Sequence, residues 1–185
     1  MPIDRIPSAA LESGVPTRSQ LPAGSVLQVV QTYKTDASSY SGIDTYPTIM
    51  SATITPTSAT SKILLMTSVS YGFANGQAQF EWYFYFDRAI GGAATQVVGQ
   101  GDAAGSRQRG VFQPGGFTGQ QTEMTLGTLS NCYLDSPATT QQIVYYLKMS
   151  AHNNAFYINR SPGDNDGSGY SKRLTSNLTL MEIAG

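Results

Sequence analysis

From Gly24 onward the chain alternates apolar and polar residues with a period of two, in short runs broken by Gly, Pro, Asn, Asp and Ser. That period puts successive side chains on opposite faces of a strand. The clearest pair of runs flanks Asn75-Gly76, with Leu65, Thr67, Val69 and Tyr71 in one phase before it and Phe80, Trp82, Phe84 and Phe86 after it. Asn-Gly supplies the two positive-φ positions of a tight hairpin turn. The spacing therefore predicts a hairpin over residues 63–86 in which Tyr71 faces Phe80, Val69 faces Trp82, Thr67 faces Phe84 and Leu65 faces Phe86. A one-residue slip would turn one apolar set away from the other. The aromatic phase is expected in the core. The opposite phase, Gln79, Glu81, Tyr83, Tyr85 and Asp87, is polar but carries two tyrosines, and suits a subunit interface ahead of a wet sheet surface.

Further strands are predicted at residues 25–33, 48–55, 95–100, 123–129, 131–134, 142–150, 155–160 and 176–183, with a Gly91-Gly92 turn leading into the third of these runs. No stretch has a convincing helical period. Regularly spaced strands joined by turn chemistry predict an all-β chain, a two-sheet antiparallel jelly-roll sandwich over residues 24–185. Residues 1–23 hold four of the nine prolines and only scattered apolar positions, which predicts an extended N-terminal arm. Residues 101–121 form the longest irregular stretch, with Val111, Phe112 and Phe117 as its apolar anchors; a loop of that length inside a domain is usually functional or disordered.

Composition narrows the function classes. Charged residues make up 12% of the 185, about half the usual share, and the net charge is −1. No cationic cluster exceeds a pair such as Lys172-Arg173, so nucleic-acid binding is not expected. A single cysteine, Cys132, excludes an internal disulfide framework and is expected to be a small core residue. No run approaches the ~18 apolar residues of a membrane span, and the N-terminus lacks the apolar core of a secretory signal, so neither membrane insertion nor signal-directed export is expected.

Candidate chemistry is sparse. His152 is the only histidine and sits in a turn sequence without a Gly-x-Ser-x-Gly elbow elsewhere, so a catalytic triad is not expected. Asp164, Asp166 and Ser168, followed by Gly169, match the opening of a calcium loop, but Thr175 stands where a bidentate glutamate is needed; an Asx-rich turn is the simpler reading and no cofactor is expected. The asparagines of Asn159-Arg160-Ser161 and Asn177-Leu178-Thr179 match a glycosylation pattern only. Tyr83, Tyr85, Phe112 and Phe117 are the candidates for an interface or ligand surface.

The runs GSVLQVVQ at 24–31, ITPTSATSKILLM at 54–66, LDSPATT at 134–140, FYINRS at 156–161 and LTLMEI at 178–183 resemble small β-sandwich virion structural proteins of tailed bacteriophages. Those proteins are often described as tail-fibre or capsid-decoration proteins and are similar in outline to trimeric jelly rolls of the tumour-necrosis-factor type. The resemblance implies a non-enzymatic homotrimeric knob on the virion surface. It also implies a major capsid protein or another virion protein as partner for residues 1–23, and a tail-fibre tip or a module for a host-surface glycan as the alternative.

Overall fold

A computed structural model describes residues 21–41, 46–73, 82–114, 126–150, 155–166 and 171–185. Among them ten strands and no helix occur: β1 (Val26–Lys34), β2 (Ser38–Tyr40), β3 (Thr48–Ile54), β4 (Lys62–Phe73), β5 (Tyr83–Ile90), β6 (Gln96–Val98), β7 (Gly127–Asp135), β8 (Ile143–Ser150), β9 (Phe156–Ile158) and β10 (Ser176–Ile183). The all-β, two-sheet antiparallel reading is correct. The larger sheet runs β1-β10-β4-β9-β2 with β7 on β4, and the smaller runs β3-β8-β5-β6.

β4 is the spine of the larger sheet. It pairs with β7 from Ile63 to Tyr71, so its other edge must serve both β10, from Lys62 to Ser68, and β9, from Tyr71 to Phe73. Setting aside short β2 and β9, and the β4–β10 and β5–β8 pairings that join neighbours within each sheet, the antiparallel pairs are β1 with β10, β3 with β8, β4 with β7 and β5 with β6. First pairs with last, second with next to last, and so inward to the tip at Gly91-Gly92, whose φ values of 57° and 78° suit glycine.

The 63–86 hairpin does not form. Leu65 pairs with Leu180 and Tyr133, and Phe86 pairs with Leu147 and Val98, so β4 and β5 belong to different sheets. Apolar alternation specifies which face of a strand is buried; it is satisfied equally when two strands meet face to face across a sandwich as when they lie side by side. The inward faces were therefore legible while the partners were not. Asn75, Gly76 and Phe80 lie outside the described residues.

The core is aromatic at one end. Phe156 of β9 is its hub, with ring centroids 4.8 Å from Trp82, 5.1 Å from Phe73, 5.7 Å from Phe84 and 6.1 Å from Tyr71. Trp82, Phe84, Phe86 and Phe156 are all at most 1% exposed. Three further corrections concern β7, Cys132 and β2. The two runs at 123–129 and 131–134 give one strand from Gly127, residues 123–125 lying outside the described ones; Tyr133 takes the inward phase, so Cys132 faces solvent on the outer side of the sheet. β2, polar and only three residues long, carried no alternation to find.

Two buried polar groups fix the layers. Asn159, fully buried at φ 61°, donates from Nδ2 to the carbonyls of Lys34 and Asp36 at 2.9 and 3.0 Å, and its Oδ1 accepts from Ser176 Oγ at 2.6 Å. Its backbone N–H donates to Ser70 O, and its own carbonyl accepts from Leu174 N–H. One side chain thus links the β1–β2 turn to β10. Glu182, also fully buried, accepts from Gln28 Nε2, Thr57 N–H and Thr57 Oγ1 at 2.6 to 2.7 Å, which pins the 55–57 turn to β10. In the sequence Asn159 matched only a glycosylation pattern and Glu182 was passed over, although Glu182 shares the inward phase of Leu178 and Leu180 and so marks itself as a carboxylate with a partner.

Candidate functional site

The irregular stretch after β6 is built as an interruption of an edge strand. β6 lies along β5 through Phe86↔Val98 and Arg88↔Gln96, then leaves the edge at Gly99, where φ is 68° and a Cβ would stand 3.0 Å from the Tyr133 ring. The excursion is closed at its neck by Gly101 N–H donating to Gly110 O at 3.3 Å. The chain then returns to the same edge: Val111 N–H donates to Phe84 O at 2.8 Å and Phe84 N–H to Phe112 O at 2.9 Å. Gly110 is required at the return, because a Cβ there would lie 2.7 Å from Tyr83 and 3.0 Å from the Phe84 carbonyl oxygen. The Phe112 ring stacks on Phe84 at 4.9 Å.

Between the returning limb and the start of β5 lies a cavity of about 500 Å³ lined by Trp82, Tyr83, Arg107, Gln108, Gly110, Val111, Phe112 and Gln113. Its wall combines aromatic surface, one guanidinium and two amides. Arg107 is oriented from within the loop, its backbone N–H and Nη1 both reaching the Ala104 carbonyl at 3.3 and 3.2 Å. Such a set can grip a polar ligand that has an apolar face. Among the described residues that line it, no nucleophile stands beside a base.

The tyrosine phase of β5 adjoins this cavity. Tyr83 and Tyr85 rings lie 5.9 Å apart, and Asp87, 5% exposed, pairs with Lys148 at 2.8 Å. Burial raises the Tyr85 phenol to about 12, with the negative charge of Asp87 and the neighbouring Tyr83 and Tyr46 phenols adding to it. Tyr83, Tyr85 and Phe112 are therefore brought together around one end of β5; Phe117 lies outside the described residues. This face was expected to serve a subunit interface ahead of a wet surface, and Tyr85 on it is only 9% exposed within the single chain.

The densest cluster of ionisable groups is elsewhere and was missed. Arg88 on β5 donates to Asp135 on β7, which also accepts from Tyr145 Oη on β8 at 2.6 Å and from Ser136 N–H at 2.9 Å. Burial raises the Tyr145 phenol above the usual tyrosine range, and its hydrogen bond to Asp135 adds to that. Arg88 shares the inward phase of Phe84 and Phe86, the one sequence signal that pointed to it. The cluster cross-links the two sheets, and none of its residues lines the cavity beside Tyr83.

The calcium candidate is otherwise engaged. Asp164 accepts from Arg173 Nη2 at 2.7 and 2.9 Å and lies 3.3 Å from Arg160 Nη1, so two guanidiniums occupy its carboxylate. Arg160 also stacks on Tyr157, 4.1 Å from the ring centroid. Asp166 is exposed, and Ser168 and His152 lie outside the described residues. Among the described residues no group of three or more His, Cys, Asp or Glu could hold a metal ion.

No protein-family model matches the chain, and no curated protein matches it.

Proposed function

We propose that the chain is a non-enzymatic structural protein on the surface of a tailed-phage virion, a homotrimeric jelly-roll knob that decorates or cements the capsid and is held by residues 1–23. The supporting observation is the inward-nesting strand pairing, β1 with β10, β3 with β8, β4 with β7 and β5 with β6. A jelly roll is a ribbon of strand pairs wound into two sheets, and this pairing supports that reading. Fold alone carries no function; the motif resemblance to phage β-sandwich proteins supplies the virion setting. Mass spectrometry of purified particles tests it. Hundreds of copies per particle are expected for a capsid decoration, a few dozen at most would make it a tail-fibre tip, and none would end the reading. Deleting residues 1–23 should leave the sandwich folded and abolish incorporation.

The cavity beside Tyr83 favours a second reading, a module that recognises a host-surface glycan. Aromatic surface next to amides and a guanidinium suits a ring with one apolar face and several hydroxyls. Saturable glycan binding that is lost in Tyr83→Ala would decide for it.

A further inference from the structure

The outer face of the larger sheet carries an apolar band that crosses all four of its long strands. Register places Val29, Met181, Leu64 and Leu134 in one row, one residue from each of β1, β10, β4 and β7. The next row holds Gln31, Thr179, Met66 and Cys132. Val29 is 56% exposed, Leu134 46% and Met66 42%, and Cys132 is exposed beside them. Four strands at about 4.8 Å spacing make this band on the order of 15 Å wide, contiguous rather than a scatter of single residues.

We infer that this face is where copies of the chain meet each other, which rests on the homotrimer reading above and names its interface. The argument is electrostatic. About a three-fold axis each subunit turns one face toward two copies of itself, and equivalent residues approach only at the axis, so a face with charge of one sign would repel both neighbours. From Val29 to Tyr33 and across to Thr128–Leu134 this face has no ionised side chain; Lys62 stands at its margin. Its polar positions, Gln31, Thr179, Asn177, Ser68 and Ser130, each carry both donor and acceptor capacity, so they can pair with whichever of these groups a copy brings opposite. The outer face of the smaller sheet is unsuited by the same test, because Asp87 and Lys148 lie on it.

The experiment uses the full chain. Wild type should sediment as a trimer at micromolar concentration, and Met66→Glu, which places a charge at an exposed position, as a monomer with an unchanged far-ultraviolet spectrum. Cys132 reports independently: by mass action its maleimide labelling should be about tenfold slower in concentrated wild type than after dilution. A monomeric wild type overturns both this interface and the trimer, while the virion assignment still stands or falls on particle composition. A trimer that survives Met66→Glu and leaves Cys132 as reactive as in the dilute chain overturns the interface alone. If Met66→Glu does not fold, concentration-dependent Cys132 protection decides.

Discussion

Arg88 Nη1 lies 2.9 and 2.7 Å from the two carboxylate oxygens of Asp135, and the two residues belong to opposite sheets. The pair is nearly closed to water, with side-chain exposures of 15% and 5%. Tyr145 and Ser136 satisfy the remaining carboxylate valence. An ion pair in such a setting adds little over an apolar contact, yet removing one partner strands the other charge.

Asp135→Ala should therefore cost about 3 kcal/mol or more, read as a lower midpoint in urea at an unchanged slope. Arg88→Met with Asp135→Leu should recover part of that loss, because no charge is left unpaired while the Tyr145 hydroxyl still loses its acceptor. A double variant as unstable as the single one would mean the pair acts through something other than desolvation.

Asn159 gives a sharper comparison. Asn159→Ala removes the side-chain bonds to Lys34, Asp36 and Ser176 and leaves a Cβ in a left-handed backbone without the bonds that offset it, for an expected loss of about 3–5 kcal/mol. Asn159→Gly loses the same bonds without the backbone cost, and should be the milder variant by about 1 kcal/mol. Equal losses would show that the φ of 61° carries no strain.

Trp82 and Tyr83 are neighbours with opposite roles. Trp82→Ala would empty the space beside Phe73 and Phe156, and truncations of this kind cost about 3–5 kcal/mol. Tyr83 is only half-buried on the cavity side, so Tyr83→Ala should cost far less in stability. Thermal melts of the two variants in the isolated chain check the ordering; its reversal would mean the faces of β5 are misassigned.

Stability should fall at both ends of the pH scale for identifiable reasons. Tyr85 titrates near 12 when folded and about 10 when unfolded, so between those values the unfolded chain binds fewer protons and stability declines as pH rises. Tyr85→Phe should flatten that decline. Glu182 behaves oppositely: burial pushes its carboxyl up, but the donors from Thr57 and Gln28 outweigh it and hold it below the ordinary value. Its contribution is present above the unfolded glutamate range of about 4.3 and is lost as pH falls through the lower folded value, a loss that Glu182→Gln should remove.

The sequence by itself determined the strands and their buried faces. The period of two placed Leu65, Val69 and Tyr71 inward on β4, Trp82, Phe84 and Phe86 inward on β5, and Ile143, Tyr145, Leu147 and Met149 inward on β8, because alternation is a local property of each strand. Turn chemistry at Gly91-Gly92 likewise marked the β5–β6 hairpin. The candidate site was half legible: Tyr83, Tyr85 and Phe112 do come together, but nothing local says that the chain after Gly110 returns to the edge it left. Only the tertiary structure decided which strands pair, that β4 and β5 face each other across the core, that Cys132 looks outward, and that Arg88, Asp135 and Tyr145 from three strands share one site. Those are contacts between residues distant in the chain, and a buried face can be covered equally well by several partners until the whole ribbon is wound.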